Sequence, residues 1–494
     1  MDAHLKLKAK TTVIGSASDF TYKWAINAGL PEDDAARLTL AVTEIVTNIV
    51  LYAYPHGEGE FEITYHPGLT QVEVIIQEFG EPFDPDRHRY DRRRAVAEGD
   101  FHGVGLALTS HMVDNLVFLH TGKSGKEFRL VKNVPAEHIA DMMSVEELKV
   151  TPPPDVTEEY RLSVATPDDA EDIAKLIYRT YGYTYAKESI YFPKKNEQAL
   201  SSGDKFAVMV RTSSGEAVGH FAVLRNADSN IGEVAEVVVS PPHRRRGLMT
   251  RMLNALIGLA KKNGLSALFG EAVAVHLISQ IVNHKLGFHS SALLLASLPV
   301  TKYRDLVDSY PQDVSVVVDF LLLEPIAARE AYLPKKYKEV LAEMYHRQGI
   351  RLIEGQAQGF RPAGVTQFSL SIQYDNKAAC VVVEDFGSDF EELIAKLTES
   401  AREEGLRTVF FDLPLDHPGT ASAVGDFEKQ QYILGGLMFL FHGEKDYLRM
   451  QYTTSALDMN LVYVHSDMAK EIKQQVEKEK RWILRSNNAR SVSG

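Results

Sequence analysis

Residues 232–264 read GEVAEVVVSPPHRRRGLMTRMLNALIGLAKKNG, and this stretch decides the fold of the middle of the chain. The three valines Val237–Val239 favour a buried β-strand, and Pro241 and Pro242 cannot continue its hydrogen-bond ladder. From Leu248 onward the apolar residues recur at spacings of three and four, which is typical of an amphipathic helix. The sequence therefore predicts a strand, a tight basic turn and a helix.

The turn between this strand and this helix predicts an anion-binding site. Backbone N–H groups in the first turn of a helix have no intrahelical partner, and the helix dipole favours negative charge there. Arg244, Arg245 and Arg246 add three guanidinium groups at the same point. The alternative for three consecutive arginines is a solvated turn or one that faces nucleic acid.

The basic turn resembles the acetyl-CoA site of the GNAT acetyltransferases, whose signature is Arg or Gln, two residues, Gly, one residue, then Gly or Ala. Arg244–Met249 stands at these positions, with Met249 at the last one. Val239–Pro241 before the turn and Lys285–Phe288 after it match the strand ending and the "LGF" corner of the family. The resemblance implies that acetyl-CoA is bound by Val237, Val239, Arg244, Arg245, Arg246, Gly247, Leu248, Met249, Thr250 and Asn283.

The same resemblance implies roles in catalysis. Glu236 lies three residues before Val239, where many family members carry the general base, and a carboxylate among valines is expected to have a raised pKa. An exposed strand residue is the alternative. Asn283 stands where the family has a tyrosine as general acid, and asparagine has no proton to give, which leaves His284 or solvent. Five tyrosines between residues 173 and 192 correspond to aromatic groups of the acceptor pocket, with core packing as the alternative.

The composition bounds the class of protein. A chain of 494 residues with 45% hydrophobic residues is long enough for about three domains with their own cores. Lys+Arg of 54 against Asp+Glu of 67 gives a net charge of −13, which argues against general affinity for nucleic acid or anionic membranes. The single cysteine, Cys380, excludes an internal disulfide and a cysteine-based metal cluster. No signal segment and no apolar run long enough for a bilayer is recognised, so we expect a cytoplasmic protein without membrane or nucleic-acid partners.

The N-terminal part contains a helix with two polar residues on one side. Residues 34–54 show helical periodicity, and Glu44 and Asn48 lie four residues apart, so they project from the same side. A carboxylate and a carboxamide one turn apart can position a water molecule and a hard cation. The alternative is that the pair lies on the solvated side of the helix.

The order of motifs around this helix resembles the GHKL ATPase fold and, within it, the anti-sigma-factor serine kinases, over about residues 10–134. The helix is followed by strands at 60–66 and 71–78, an acidic-glycine loop and a glycine turn at 101–108. The resemblance implies a site for ATP and Mg²⁺. Its residues would be Glu44 as base, Asn48 as Mg²⁺ ligand, Glu78 and Gly80 at adenine, and Gly103, Val104, Gly105 and Leu106 over the phosphates.

One departure leaves an alternative open in this module. Glu78 stands where the family has aspartate as the residue that reads adenine. A relic of the fold that no longer binds nucleotide is therefore the other interpretation. The resemblance also implies a regulatory protein partner of the anti-sigma or anti-anti-sigma type.

The fold class expected from these patterns is a multidomain α+β and α/β protein. We predict a GHKL ATPase-like α/β sandwich over residues 1–134, a proline-rich linker over 135–159, a GNAT fold over 160–300 and an α/β domain over 301–494. The last domain parallels the second half of a GNAT fold, with a helix predicted at 425–433, but lacks the arginine-glycine loop. It is either a degenerate GNAT-like half or a separate partner-binding domain.

The function expected from the whole chain is acetyl transfer to an amine under the control of an ATP-binding module. The predicted enzyme is an acetyl-CoA-dependent N-acetyltransferase for a small-molecule or protein amine, with a regulatory or kinase-like N-terminal module. The alternative is a non-catalytic signalling adaptor that binds a regulatory protein.

Overall fold

The computed structural model describes residues 2–54, 59–67, 71–80, 109–120, 125–134, 143, 157–182, 185, 188–226, 229–299, 310–357, 359–374 and 376–493, with side chains described as far as Ile483. The chain divides into two compact units. The first comprises residues 1–136 with 395–404, and the second comprises residues 137–394 with 405–494.

The first unit is a five-stranded antiparallel sheet that packs against two helices. Its elements are β1 (Ala3–Lys8), α1 (Thr12–Asn27), α2 (Glu32–Asn48), β2 (Glu60–Pro67), β3 (Gln71–Glu78), β4 (Asn115–His120) and β5 (Lys126–Asn133), with the strand order β1-β2-β3-β5-β4. Leu38, Val42 and Ile45 recur on one face of α2 and are buried. They share a core with the alternating inward residues Ile63 and Ile76 of the sheet.

A π-helical turn, Ile49–Ala53, extends α2. The combined helix Glu32–Ala53 is long and apolar enough to cross a membrane, judged by length and composition alone. The prediction that no apolar run in the chain reaches that length is therefore wrong for this segment. Half of its most apolar part is buried inside the protein, as in the core helix of a folded domain.

The first half of the second unit forms one end of a twelve-stranded sheet. Its elements are β6 (Tyr160–Val164), α3 (Ala170–Tyr181), α4 (Pro193–Ser202), β7 (Lys205–Thr212), β8 (Ala217–Arg225), β9 (Ile231–Val239), α5 (Leu248–Lys262), β10 (Ala267–Val273), α6 (Ile278–Lys285), β11 (His289–Leu298) and β12 (Val314–Leu322). The strand order is β6-β7-β8-β9-β10-β12-β11. Strand β12 thus inserts between β10 and β11 and is antiparallel to both.

The second half of this unit repeats part of that order. Its elements are β13 (Ala328–Ala331), α7 (Lys338–Arg347), β14 (Arg351–Glu354), β15 (Gln367–Gln373), β16 (Ala378–Asp385), α8 (Phe390–Glu403, whose residues 395–403 are grouped with the first unit), β17 (Thr408–Pro414), α9 (Thr420–Lys429), β18 (Ile433–His442), β19 (Lys445–Thr453) and α10 (Asp467–Ser493). The order β15-β16-β17-β19-β18 matches β8-β9-β10-β12-β11. Each set contains one parallel pair, and in each the last strand inserts between the two before it.

Irregularities in β11 and β18 repeat in the same way. Register shifts lie at Ser290/Ala292 and Leu294/Leu298 in β11, and at Leu434/Gly436 and Met438/His442 in β18. Ala296 and Leu440, at the same place within the second shift, both have positive φ. Matching bulges at matching positions indicate that the two halves are copies of one folding pattern.

The two halves meet where β11 pairs with β18. Ala292 lies opposite Gly436 in this antiparallel contact. The fully buried side chain of Gln451 bridges both strands, because it accepts from the Leu295 N–H and donates to the carbonyls of Leu293 and Leu434. The sheet is therefore continuous through the centre of the unit.

Two sequence-based boundaries differ from these elements. The helix predicted at 425–433 is α9, Thr420–Lys429, because Gln431 adopts a positive φ and Ile433 begins a buried strand. The domain boundary predicted at residue 300 falls between β11 and β12, which pair with one another.

Gly436 provides a test of the junction. A Cβ at this residue would lie 2.3 Å from the carbonyl oxygen of Ser291, and its φ of 143° disfavours any side chain. We expect Gly436→Ala to lower the free energy of unfolding by about 2–4 kcal/mol, measured by urea denaturation. Gly425→Ala, in α9 with open space around its Cβ, is the control and should change stability by at most about 1 kcal/mol, as a gain. Equal effects of the two substitutions on the free energy of unfolding would contradict the close packing of Gly436 against β11.

Candidate functional site

Strands β9 and β10 part from one another partway along their length. Their parallel pairing covers only Ile231–Glu233 on β9 and Ala267–Phe269 on β10. Beyond this point β9 continues to pair with β8, and β10 continues to pair with β12. The second half of β9 therefore has one edge that β10 leaves uncovered, and a cleft opens in the sheet.

A β-bulge in β9 accompanies this divergence. The register with β8 shifts between His220 and Ala222, and Glu236 at the bulge has a φ of 58°. The Ser240 N–H donates to the Val218 carbonyl of β8. Because backbone groups alternate sides along a strand, the N–H groups of Val237 and Val239 face away from β8 and into the cleft.

The carbonyls of these two residues support that orientation. The Val237 carbonyl accepts from the Tyr181 hydroxyl at 3.3 Å, and the Val239 carbonyl accepts from Arg244 Nε at 3.2 Å. Neither partner belongs to β8. Strand β9 thus presents main-chain donors to the cleft, an arrangement that suits an extended ligand with amide and carbonyl groups.

The basic turn lies at the end of β9 and opens α5. Gly247 is exposed with a φ of 70°, and no described heavy atom lies within 4 Å of where its Cβ would be. The Arg251 N–H donates to the Gly247 carbonyl, so the N–H groups of Leu248, Met249 and Thr250 precede the first bond of the helix. These donors make the turn a binding place for an anion.

The side chains around the turn leave its backbone N–H groups accessible to a ligand. Arg245 is exposed, and the Arg246 guanidinium lies 5.7 Å from the centre of the Tyr160 ring. Met249, which replaces a small residue of the family signature, packs its side chain against the core of this half. Its bulk is therefore directed into the protein, which reconciles this residue with an anion at the backbone.

Asn283 lies at the fork where β9 and β10 separate. A Cβ on Gly270 of β10 would lie 3.2 Å from Asn283 Nδ2 and 2.8 Å from Cγ2 of Val234 on β9. Asn283 Nδ2 donates to Asp319 Oδ2 at 3.1 Å, and the Ser290 hydroxyl donates to Asp319 Oδ1 at 2.6 Å. Sequence reasoning missed Asp319, because it lies on a β-branched strand with no local motif around it.

Glu236 is buried and paired with a lysine and a histidine, in contrast to the sequence-based expectation of an exposed or catalytically free carboxylate. Its Oε2 atom lies 2.6 Å from Lys205 Nζ and 3.2 Å from His220 Nε2, and Lys205 also donates to Asn196 Oδ1 at 2.7 Å. Burial acts to raise the pKa of Glu236, but Lys205 and His220 outweigh it and lower the pKa to about 2. The expectation of a raised pKa is wrong, since the neighbouring strands supply a cation and a donor.

Two tyrosines lie beside β9 on the side of α3. Tyr181 and Tyr185 have ring centres 5.5 Å apart, and the Tyr185 N–H donates to the Tyr191 hydroxyl at 2.9 Å. Burial raises the pKa of Tyr185 well above 10, and the negative charge of Glu236 adds to this effect. Both hydroxyls are therefore neutral at ordinary pH, and Tyr183 lies outside the described residues.

The equivalent helix start in the second half is closed by the protein itself. The Asp389 carboxylate accepts from the N–H and the hydroxyl of Thr366 at 2.8 and 2.9 Å. A Cβ on Gly387 would lie 2.2 Å from the Thr366 nitrogen. Because the chain fills the space ahead of α8, this place has no room for an anion.

The first unit brings together part of the predicted nucleotide site. Glu44 and Asn48 are half-buried on one side of α2, and the π-helical turn begins directly after Asn48. Turns of this kind occur often at functional sites. Gly103, Val104, Gly105 and Leu106 lie outside the described residues.

The adenine-reading position is occupied within the protein. Glu78 is buried, with Oε1 2.5 Å from Lys126 Nζ and Oε2 2.6 Å from the Gly80 N–H. Gly80 packs so closely against the Ala53 carbonyl that a Cβ would lie 2.3 Å from its oxygen. The acidic-glycine loop is thus anchored to the end of the helix that carries Asn48.

The residues present fit the ligands that the motifs imply. Backbone N–H groups and guanidinium groups suit a pyrophosphate, and the oxygens of Glu44 and Asn48 suit Mg²⁺. Within the described ranges, no group of three or more His, Cys, Asp or Glu residues is arranged to hold a metal ion by itself.

Comparison with known families agrees with both predicted modules. Residues 7–132 match the histidine kinase-like ATPase domain, and residues 170–288 match the acetyltransferase (GNAT) family. The serine-protein kinase RsbW of Bacillus cereus (strain AH187) is 27% identical over 120 residues, which cover 23% of this chain and 74% of the relative. RsbW of Bacillus anthracis is 27% identical over 116 residues, covering 22% and 71%. The predicted resemblance to both families is confirmed.

Solved acetyltransferase structures resemble part of the chain. They include an N-acetyltransferase from Staphylococcus aureus Mu50, with 14% identity and a TM-score of 0.28 over 34% of this chain and 99% of that chain. A GNAT phosphinothricin acetyltransferase from Sinorhizobium meliloti, in complex with acetyl-CoA, has 17% identity and a TM-score of 0.27 over 33% and 88%.

The buried carboxyl of Asp319, next to the point where β9 and β10 separate, can be tested through the pH dependence of the free energy of unfolding. Burial raises the pKa of this carboxyl to about 6, although Ser290 and Asn283 oppose the shift. A raised pKa stabilises the fold below the unfolded value near 3.8, and that contribution is lost as pH rises through about 6. We expect Asp319→Asn, which cannot ionise, to gain on the order of 3 kcal/mol relative to wild type between pH 4 and pH 8.

Urea denaturation of both proteins across that pH range provides the measurement. Val164→Ala, at an exposed residue of the same half that carries no titratable group, is the control and should keep a constant difference from wild type. If the difference in free energy of unfolding between Asp319→Asn and wild type is also constant with pH, the raised pKa of Asp319 is contradicted.

Proposed function

We propose that this chain, whose residues 7–132 match the histidine kinase-like ATPase domain and whose residues 170–288 match the acetyltransferase (GNAT) family, is an acetyl-CoA-dependent N-acetyltransferase with an ATP-binding regulatory module. The observation that carries the proposal is the cleft between β9 and β10, which runs toward the anion-binding turn of α5. This cleft joins main-chain donors for an extended chain to N–H groups for a pyrophosphate.

The proposed roles in cofactor binding follow from the donors at each place. The N–H groups of Gly247, Leu248, Met249 and Thr250, with the guanidinium groups of Arg244, Arg245 and Arg246, would hold the pyrophosphate of the cofactor. Val237 and Val239 would bind its amide chain along β9. When bound, acetyl-CoA supplies an acetyl thioester that an amine attacks.

The proposed acceptor is an amine that approaches from the side of Tyr181 and Tyr185. Glu236 was predicted to be the general base, but a carboxylate with a pKa of about 2 and a bound lysine is a weak base. We therefore propose an anchoring role for Glu236, and a solvent path for the proton of the amine. Asn283 would offer its side-chain amide to acetyl-CoA at the point where β9 and β10 separate, and its hydrogen bond to Asp319 would hold that amide in place.

In the first unit we propose ATP binding with Mg²⁺. The oxygen of Asn48 would be the Mg²⁺ ligand, Glu44 would be the base, and Gly103, Val104, Gly105 and Leu106 would cover the phosphates. The relatives named serine-protein kinases support phosphoryl transfer to a serine of a protein. The resemblance to the anti-sigma-factor serine kinases extends this proposal to a regulatory protein of the anti-anti-sigma type. The Glu78–Lys126 pair would have to share its carboxylate with adenine.

Calorimetric titration with acetyl-CoA tests the first proposal. We expect saturable binding to wild type, and a loss of at least tenfold in affinity for Gly247→Glu, because a carboxylate at the helix start repels the pyrophosphate. Asn254→Glu adds the same charge to an exposed residue further along α5 and should bind normally. No heat up to millimolar acetyl-CoA, or equal binding by both variants, would exclude the turn as the site.

Thermal melting with ATP and Mg²⁺ tests the second proposal. We expect ATP to raise the melting temperature by an amount that grows with the ATP concentration. At an ATP concentration of one hundred times Kd, binding adds about 2.7 kcal/mol to the free energy of unfolding. Asn48→Ala should abolish the rise, because the cation loses its protein ligand. Leu40→Ala, at an exposed residue of the same helix, should keep it. An equal rise in all three proteins would place the nucleotide elsewhere.

A further inference from the structure

Glu236 has a backbone conformation that its residue type disfavours. Its φ of 58° lies in the left-handed region, where the Cβ of an L-residue is crowded. Such a residue persists only where surrounding contacts hold it in place. The bulge it forms lies three residues beyond Glu233, the last residue of β9 that pairs with β10.

A buried ion pair supplies those contacts. Lys205 on β7, His220 on β8 and Glu236 on β9 lie on three adjacent strands, and their side chains are 3%, 0% and 3% exposed. Lys205 extends the chain of contacts to Asn196 of α4, whose Nδ2 donates to the Ile190 carbonyl. The Glu236 carboxylate is thus tied across the sheet to the helix layer.

The ring of His220 completes the carboxylate environment. Burial lowers the pKa of His220, so the ring is neutral at pH 7 and its Nε2–H donates to Glu236. Lys205 is therefore the cation that faces the carboxylate. Among the described residues, Tyr185 is a further titratable neighbour of Glu236, and its hydroxyl is neutral.

We propose that Lys205 is a positioning residue for acetyl transfer: it holds Glu236 in the bulge and thereby keeps the Val237 N–H turned toward the carbonyl oxygen of the acetyl group. This inference rests on the proposed function. It assigns Lys205 and Glu236 to one structural device, a buried pair that keeps the cleft open. Glu236 acts through the shape of β9 and not as a proton acceptor.

This anchoring role explains why the Lys205–Glu236 pair is buried beside the cleft. A buried carboxylate without a partner is costly, so Glu236 requires Lys205, and Lys205 requires Glu236. Replacing only one of them leaves an unpaired charge in the core. Replacing both with apolar or neutral groups removes the unpaired charge, so stability should recover. It also removes the anchor of the bulge, so acetyl-CoA binding should not recover.

The test compares Lys205→Met, Glu236→Gln and the double variant in the full chain. Each single variant should have a lower melting temperature than wild type, and the double variant should recover at least half of the loss of Lys205→Met. All three should bind acetyl-CoA at least tenfold more weakly than wild type by calorimetry. Hydrogen exchange at residues 231–240 should be at least tenfold faster in all three, because the bulge is released.

A pH series adds a readout that a role in stability alone would not change. In Lys205→Met, burial of Glu236 without its cation raises the carboxyl pKa, so acetyl-CoA affinity should vary between pH 5 and pH 8. In wild type Glu236 stays ionised over this range, so the ratio of the Lys205→Met affinity to the wild-type affinity should change with pH. The double variant, which lacks the carboxyl, should bind weakly and keep a constant ratio to wild type.

The outcomes distinguish the two levels of the proposal. If wild type binds acetyl-CoA and the double variant binds it equally well, the role of Lys205 is refuted and the proposed function stands. If wild type shows no binding, the proposed function fails, and the inference fails with it. If Glu236→Gln and Lys205→Met keep wild-type affinity and exchange, Glu236 is not an anchor.

Discussion

The separation of β9 from β10 is the constraint on which the rest of the acetyltransferase half depends. Two parallel strands that pair only at Ile231–Glu233 leave main-chain donors on one edge without a neighbouring strand, and such donors require a ligand or water. The bulge at Glu236 directs these donors, and the turn at Gly247 places further N–H groups at the far end. The cleft is thus built from backbone geometry, with side chains that hold it in shape.

The second half of the same unit shows what this geometry requires. Strands β16 and β17 pair over Ala378–Val382 and Thr408–Asp412, further than their counterparts, and Thr366 with Asp389 fills the space ahead of α8. The folding pattern is repeated, but the opening is absent in this described part of the chain. The second half instead contributes the continuous sheet and the buried Gln451 that join it to β11.

The first unit has one feature that fits the predicted nucleotide site and one that departs from it. Asn48 is the last residue of α2, directly before a π-helical turn whose Ala53 carbonyl packs against Gly80. The carboxylate of Glu78, which the family resemblance assigns to adenine, is paired with Lys126, so its charge is balanced within the protein.

Local sequence determined the strand, turn and helix of residues 231–262 and the face shared by Glu44 and Asn48, because periodicity and proline or glycine placement act within a few residues. Tertiary structure alone decided the ionisation of Glu236, since Lys205 and His220 reach it from other strands. It also decided the insertion of β12 and the contact of Asn283 with Asp319. Pairing between distant segments sets the electrostatic environment of a buried group, and no local pattern records which segments will meet.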